Sequence, residues 1–317
     1  STIFEAIRLW KLAFDEIIIS SGKKFYSSGS HRYLSFSNLD FLRLKNDNDI
    51  FNKSRSKELS IELGFAHEDG NYNLRISLEK SSISISNSYF RIKYDDNEFK
   101  KFSEKILELG LSLRDSIYIY QTHPIFHSIK NEPFYNEAQL LKKISIGKSH
   151  EVIRNKILKS AGSNQKFDKI EGYINRIFKA NYKIRLKNKN RQDDEYVTIT
   201  FQNETEKEIE ISLMGSGMIQ VIDIFSTIEF IIKRKHCLNI LLIDEPDSHL
   251  HSNIQSKLID ELKNNIDSQT FIISHNDRLI DKAQEGELFF INKETHHNQT
   301  LNSLHIDSYD SVSGELA

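Results

Sequence analysis

The chain has 317 residues, a formal net charge of −2 and 38% hydrophobic content. That length permits a substantial core, and the near-neutral charge gives no global basic signature for nucleic acid. There is no uninterrupted apolar run of the ~18 residues a bilayer requires, and the single Cys237 excludes an internal disulfide framework or a cysteine metal cluster, so a cytoplasmic protein without a membrane partner is expected.

The first element reads as a helix. Apolar residues stand at Ile3, Ala6, Ile7, Trp10, Ala13 and Phe14, which is amphipathic helical spacing. Ser1 and Thr2 lead into it without a preceding methionine. A Ser or Thr opening a core helix is how the phosphate loop G-x-x-x-x-G-K-S/T ends. The glycines and lysine would lie before residue 1, with Ser1 as the Mg2+-ligating hydroxyl. An ordinary N-cap serine is the alternative. Gly147-Lys148-Ser149 is a decoy, because Lys142 stands where the first glycine of that pattern belongs.

From the first helix to Lys57 the chain is polar and reads as loops and short elements. Alternation then sets in: Leu59, Ile61, Leu63 and Phe65 share one face, Leu74, Ile76 and Leu78 another, followed by Ile83, Ile85, Phe90 and Ile92. Turn residues at Asp69-Gly70-Asn71 and Asn87-Ser88 separate the runs, which predicts an antiparallel meander. A helix follows from Glu98 to Leu111, then a strand from Ile117 to Tyr120 ending at Gln121. Residues 137–180 read as helical. Tyr182–Leu186, Tyr196–Phe201 and Glu208–Leu213 read as strands. The alternating Lys183, Arg185, Lys187, Lys189 and Arg191 form a basic ribbon able to meet phosphates, or a solvated hairpin, since Asp193, Asp194 and Glu195 follow at once.

Three candidate sites come next in the chain. Gly215-Ser216-Gly217 separates a strand from an apolar helix. Such a turn lets backbone approach an anion at a helix N-terminus, or is simply a tight turn. Lys233-Arg234-Lys235-His236 then reads as a charge run at that helix's end, and Cys237 as a core thiol. Leu238 to Ile243 is near-continuously apolar, as in a strand buried on both faces of a parallel sheet. It ends in Asp244 and Glu245, and Pro246 stops it. Acids at that end of an open α/β sheet lie where ligands bind. One can help to hold Mg2+ and the other can polarise a water. Thr270 to Ile273 reads as another buried strand, ending in Ser274-His275, where an imidazole could meet a phosphate or serve structure alone.

The ordered set resembles the ABC-type ATPases of the RecF/SMC kind, most closely the OLD-like (overcoming-lysogenisation-defect) ATPases of bacterial defence and repair. Leu241-Leu242-Ile243-Asp244-Glu245-Pro246-Asp247-Ser248-His249-Leu250-His251 is similar to their Walker B and D-loop. Leu213 to Gln220 is similar to their signature, Ile272 to Asn276 to their switch-histidine loop, and Ser1-Thr2 to the end of Walker A. The resemblance implies an α/β P-loop head of ABC type, with a mixed or parallel core sheet, an antiparallel β-subdomain and a helical lid. One domain, 1–317, would divide into a lobe at 1–120, an insertion at 121–212 and a lobe at 213–317.

It also implies roles. Ser1 and Asp244 would hold Mg2+ on ATP, with Gln121 sensing metal and water. Glu245 would deprotonate the attacking water, and His275 would contact the γ-phosphate. Ser1 and Thr2 would touch the bound nucleotide, and Gly215, Ser216 and Gly217 would reach ATP held by a second head. Asp247, Ser248, His249 and His251 would lie at the dimer interface; a metal site at the two histidines is the alternative. Partners implied are a second copy or higher oligomer, an effector protein or nuclease, and DNA or RNA. A nucleotide-gated scaffold and the ATPase half of an OLD-like nuclease are the competing readings. The latter needs a Toprim domain beyond this chain, since Asp307, Asp310 and Glu315 do not form its metal pattern.

Overall fold

The computed structural model describes residues 2–21, 24–27, 32–39, 41–42, 44–45, 47–51, 58–80, 89–113, 117–122, 130–145, 147–161, 167–187, 194–203, 208–232, 236–247, 250–265, 269–276, 280, 282–284 and 287–289. Ser1, Ile83, Ile85, Asn87, Ser88, Lys189, Arg191, Asp193, Lys233, Arg234, Lys235, Ser248, His249, Asp307, Asp310 and Glu315 lie outside them.

Helix α1 (Thr2–Ile17) leads into a hairpin of β1 (Ile18–Ser21) and β2 (Lys24–Ser27). Then come β3 (Arg32–Ser35), β4 (Glu58–His67), β5 (Gly70–Lys80) and β6 (Tyr89–Tyr94), an antiparallel sheet ordered β3-β6-β5-β4. Its register pairs Leu59 with Leu78, Ile61 with Ile76 and Leu63 with Leu74, so the alternating residues share one face. Helix α2 (Asp96–Glu108) packs on β5. It starts where the Asp95 side chain accepts the N–H groups of Asn97 and Glu98 at 2.8 and 2.9 Å.

Strand β7 (Ile117–Thr122) opens the second sheet. An excursion of α3 (Glu137–Ser145), α4 (Ile153–Ser160), α5 (Asp168–Phe178), β8 (Lys183–Leu186), β9 (Ile199–Gln202) and β10 (Ile209–Glu210) follows. The chain then returns through α6 (Ser216–Ile232) to β11 (Leu238–Asp244), and through α7 (Ser252–Asn265) to β12 (Gln269–Ile273). Strands β12, β11 and β7 form a parallel sheet in that order, with β11 in the middle. The fold is thus mixed α/β, with an antiparallel sheet, a parallel sheet and a largely helical excursion between β7 and β11.

Helix α1 lies between the two sheets. Leu9, Trp10, Phe14 and Ile17 are buried in one core with Leu74 and Leu78 of β5 and with Leu242 of β11. The Trp10 indole N–H donates to the Leu74 carbonyl at 2.9 Å. Leu241 and Ile243 point to the opposite face, into a second core with Val221, Phe225 and Leu258. Strand β11 is therefore covered on both sides, as its apolar run predicts. A third core joins α4, α5, α6, β8 and β9.

Four local expectations are corrected. Ile3 is 37% exposed, because the buried stripe of α1 runs through Phe4, Arg8, Leu9 and Trp10 instead. Residues 211–213 turn as a short 3-10 helix rather than extending a strand, because the Glu210 carboxylate accepts the Ser212 N–H at 2.8 Å. Strand β12 is not enclosed: among the described residues it is a sheet edge, with Phe271 and Ile272 exposed. Cys237 is half-buried rather than a core thiol.

The decoy glycine has a structural task. Gly147 ends α3 with φ +80°; its N–H donates to Ile144, and the Lys148 N–H donates to Lys143, a Schellman-type close. A Cβ there would stand 2.7 Å from both terminal nitrogens of Arg8. Arg8 is buried, lies 4.1 Å over the Phe41 ring and donates to the Ser145 carbonyl at 3.2 Å. Burial lowers its pKa to about 10. Gly147→Ala is expected to lower stability by about 1–3 kcal/mol through the left-handed backbone and this clash. An unmoved urea midpoint would contradict the account.

Candidate nucleotide site

The carboxyl ends of the parallel strands form the site. In register, Gln121 lies beside Leu242, Thr122 beside Ile243, and Asp244 beside Ile273. The loops after β7, β11 and β12 thus leave from one edge, where open α/β sheets bind ligands. Asp244 is half-buried there, and Pro246 is buried after it.

Glu245 leaves the strand with φ +49°, a left-handed conformation that costs a non-glycine residue about 1–3 kcal/mol. Two backbone bonds hold it there. Its N–H donates to the Ile273 carbonyl at 2.8 Å, and its carbonyl accepts from Nε2 of Gln220 at 3.1 Å. Its carboxylate Oε1 lies 3.9 Å from Nε2 of His275, whose ring is 86% exposed. The strand ends therefore bring Asp244, Glu245 and His275 together, with the His275 ring open to solvent.

The turn after Pro246 is tied to the β12 loop. Ser274 Oγ donates to the Asp247 carboxylate at 3.0 Å. Gln255 Nε2 donates to the carbonyls of Asp247 and Leu250 at 3.1 and 3.0 Å, while its side-chain oxygen accepts from Asn276 Nδ2 at 2.9 Å. His251 is exposed and caps α7: the Asn253 N–H reaches its Nδ1 at 3.4 Å, and its carbonyl accepts from Ile254 and Gln255.

Gly215, Ser216 and Met214 form the entry to α6. Space around Gly215 is open, Ser216 is exposed, and Leu213 just before them is 77% exposed. A buried polar network anchors this loop to the excursion. Arg154 Nε donates to Glu210 at 2.8 Å, and the N–H groups of Arg154 and Asn155 donate to Glu132 at 2.9 and 3.0 Å. Burial raises the Glu132 pKa despite those donors. Thr2 is exposed in the first turn of α1.

Residues 1–281 match the family described as "AAA domain, putative AbiEii toxin, Type IV TA system". The chain belongs to this AAA-domain family. The Smc head domain of Pyrococcus furiosus with an extended coiled coil, solved bound to the C-terminal domain of ScpA, is similar in fold. It has a TM-score of 0.55 and 14% identity, and the match covers 100% of this chain and 90% of that one. An SmcHead bound to the C-winged helix domain of ScpA shares 18% identity over 77% of this chain and 75% of that one, at TM-score 0.47. The SMC head domain of Thermotoga maritima shares 15% identity over 73% and 69%, at TM-score 0.39. No curated protein matches the chain in sequence. The family match gives the chain an AAA domain, and the Pyrococcus head shares its fold.

Within this AAA-domain chain, Gln220 and Asn276 stand in sequence only as the last residues of the signature-like and switch-like motifs, without roles of their own, and Gln255 and the Arg154–Glu210 pair have no place in either motif. A glutamine inside the apolar run from Met218 to Phe225 was the available signal for Gln220. The basic ribbon is largely neutralised where described: Lys183 pairs with Glu171 at 2.9 Å and Lys187 pairs with Glu208. No helix among the described residues is long and apolar enough to cross a membrane.

Proposed function

We propose that this chain is an ATP-hydrolysing head that dimerises around ATP in a bacterial defence or repair system and so controls an effector. The observation that carries the reading is the 3.9 Å approach of His275 to Glu245 at the carboxyl end of β11, beside Asp244. Two acids of separate task and an imidazole at one sheet edge suit phosphoryl transfer, which needs mainly positioning and charge stabilisation.

Glu245 accepts a proton from the water that attacks the γ-phosphorus, as the bond to the β-phosphate oxygen breaks and ADP leaves. His275 contacts the γ-phosphate, and Gln121 orients the water. The carboxylate of Asp244 and the hydroxyl of Ser1 are hard oxygen donors of the kind Mg2+ takes. They would hold that ion, which supplies charge neutralisation at the phosphates. Thr2 belongs to the same phosphate loop.

Gly215, Ser216 and Gly217 bind the nucleotide of the second head. The open space at Gly215 and the exposure of Ser216 and Leu213 support such an approach. Asp247, Ser248, His249 and His251 line the same interface. The cytoplasm is the compartment proposed. The family description, which names a toxin–antitoxin system, fits a defence role, and the Pyrococcus Smc head bound to the C-terminal domain of ScpA is a precedent for a protein partner docked on such a fold. An attached OLD-like nuclease or a slow, nucleotide-gated scaffold remains the second reading.

Two measurements on the full-length protein test this. ATP turnover should be measurable by phosphate release, and a protein that binds ATP without releasing phosphate favours the scaffold. Ser216→Arg should abolish ATP-driven association, since a long cation would fill the space that the second nucleotide needs. Unchanged association by light scattering would overturn the sandwich.

A further inference from the structure

Gln220 is buried at 4% exposure in the second turn of α6, in a helix whose neighbouring positions are almost entirely apolar. Its side-chain amide does not serve the helix. It reaches across 25 residues of sequence and donates to the backbone carbonyl of Glu245 at 3.1 Å. Glu245 is held in a left-handed conformation and precedes Pro246, whose ring restricts the backbone before it. Such a conformation persists only when its surroundings fix it. The Ile273 carbonyl fixes the N–H side of Glu245, and Gln220 fixes the carbonyl side.

Helical geometry adds the second half. Ser216 and Gln220 stand four residues apart, hence on one face of α6 one turn apart. The helix that presents Ser216 and the open Gly215 at its tip thus grips Glu245 one turn later.

We infer that Gln220 is a positioning residue that sets the backbone of Glu245 and relays engagement of the Ser216 loop to it. This rests on the ATPase reading above and adds a link between two of its parts. A nucleotide of a second head pressing on Ser216 moves the first turns of α6. The amide of Gln220 then turns or steadies the Glu245 peptide, and with it the direction of the carboxylate. Hydrolysis thereby depends on the second head through a hydrogen bond inside the first.

The test uses the full-length protein and three variants. Gln220→Met keeps the side-chain length and removes the donor. Its kcat should fall about 10- to 100-fold, the scale of an ångström-size misplacement of a reacting group, with KM for ATP within about twofold. Gln220→Lys, which restores a donor of similar reach, should recover most of the rate. Gln220→Met combined with Glu245→Gln should form the same amount of ATP-driven dimer as Glu245→Gln alone, because Gln220 acts through Glu245. Parental kcat in Gln220→Met overturns the inference, as does a parallel loss of ATP affinity or dimerisation, which marks Gln220 as merely structural. These results are separable from failure of the ATPase reading. That reading fails if the unaltered protein releases no phosphate, and the inference falls with it; it survives if Glu245→Gln stops turnover while Gln220→Met does not.

Discussion

Glu245→Gln is expected to reduce ATP turnover by about 10²–10⁴-fold, the span a positioned general base contributes, while ATP-driven association persists. The substitution keeps the shape of the side chain and the two backbone bonds, to Ile273 and from Gln220, that aim it. It removes only the carboxylate's capacity to take a proton, so ATP binding and the fold should survive. Phosphate release and light scattering on the same preparation check both halves. A variant that turns over at the parental rate would remove Glu245 as the base and leave Asp244 or His275 to be tested in its place. A variant that neither hydrolyses nor associates would show that the carboxylate also serves the nucleotide-bound assembly.

The largest effect on stability is expected away from that edge. Lys156 of α4 is fully buried and pairs with the buried Asp223 of α6. Its ammonium also donates to Ser149 Oγ and Thr227 Oγ1, each at 2.7 Å. Burial lowers the Lys156 pKa, and the Asp223 carboxylate works against that shift. Lys156→Met would leave Asp223 enclosed without its cation, which costs about 3–5 kcal/mol. Removing both charges with Lys156→Met and Asp223→Leu should restore most of the loss, because a well-packed apolar pair can match or exceed a buried ion pair. Urea unfolding of the three proteins decides it. Equal midpoints for the parent and Lys156→Met would show that the pair contributes nothing, and a double variant weaker than the single would contradict the stranded-charge explanation.

These two sites show where the sequence speaks and where it is silent. The apolar run from Leu238 to Ile243 announces a strand covered on both faces, since each residue in turn needs an apolar partner, and Leu242 and Leu241 find theirs in different cores. The acids at its end and the Ser274-His275 pair are equally visible, because they interrupt apolar runs. What periodicity cannot encode is which distant polar group meets which. Lys156 and Asp223 are 67 positions apart, and Arg154 and Glu210 are 56 apart. Each appears in sequence as an ordinary charge on a helix or near a turn. Gln220 is similar, a lone amide whose partner is a backbone atom and so leaves no trace in side-chain pattern. Extended pattern at 208–213 likewise says strand, and the local Glu210 cap overrides it at residue 211. For β12, the run Thr270 to Ile273 gives apolarity but not position in the sheet, and an edge strand keeps Phe271 and Ile272 at the surface.

The middle position of β11 also dictates an order of assembly. Its neighbours are residues 117–122 on one side and 269–273 on the other, so the parallel sheet is built from pieces about 120 and 30 residues away in the chain. Loop closure of that length slows pairing, whereas the meander from β4 to β6 closes through adjacent segments. During synthesis the antiparallel sheet can gather first, with α1 resting on it through Trp10 while the core it shares with Leu242 waits for β11. The nucleotide edge comes into being only when β12 arrives. Chains that end before β11 should therefore leave the Leu242-facing side of α1 uncovered and open to chaperones, and chains that end before β12 should carry no complete functional edge.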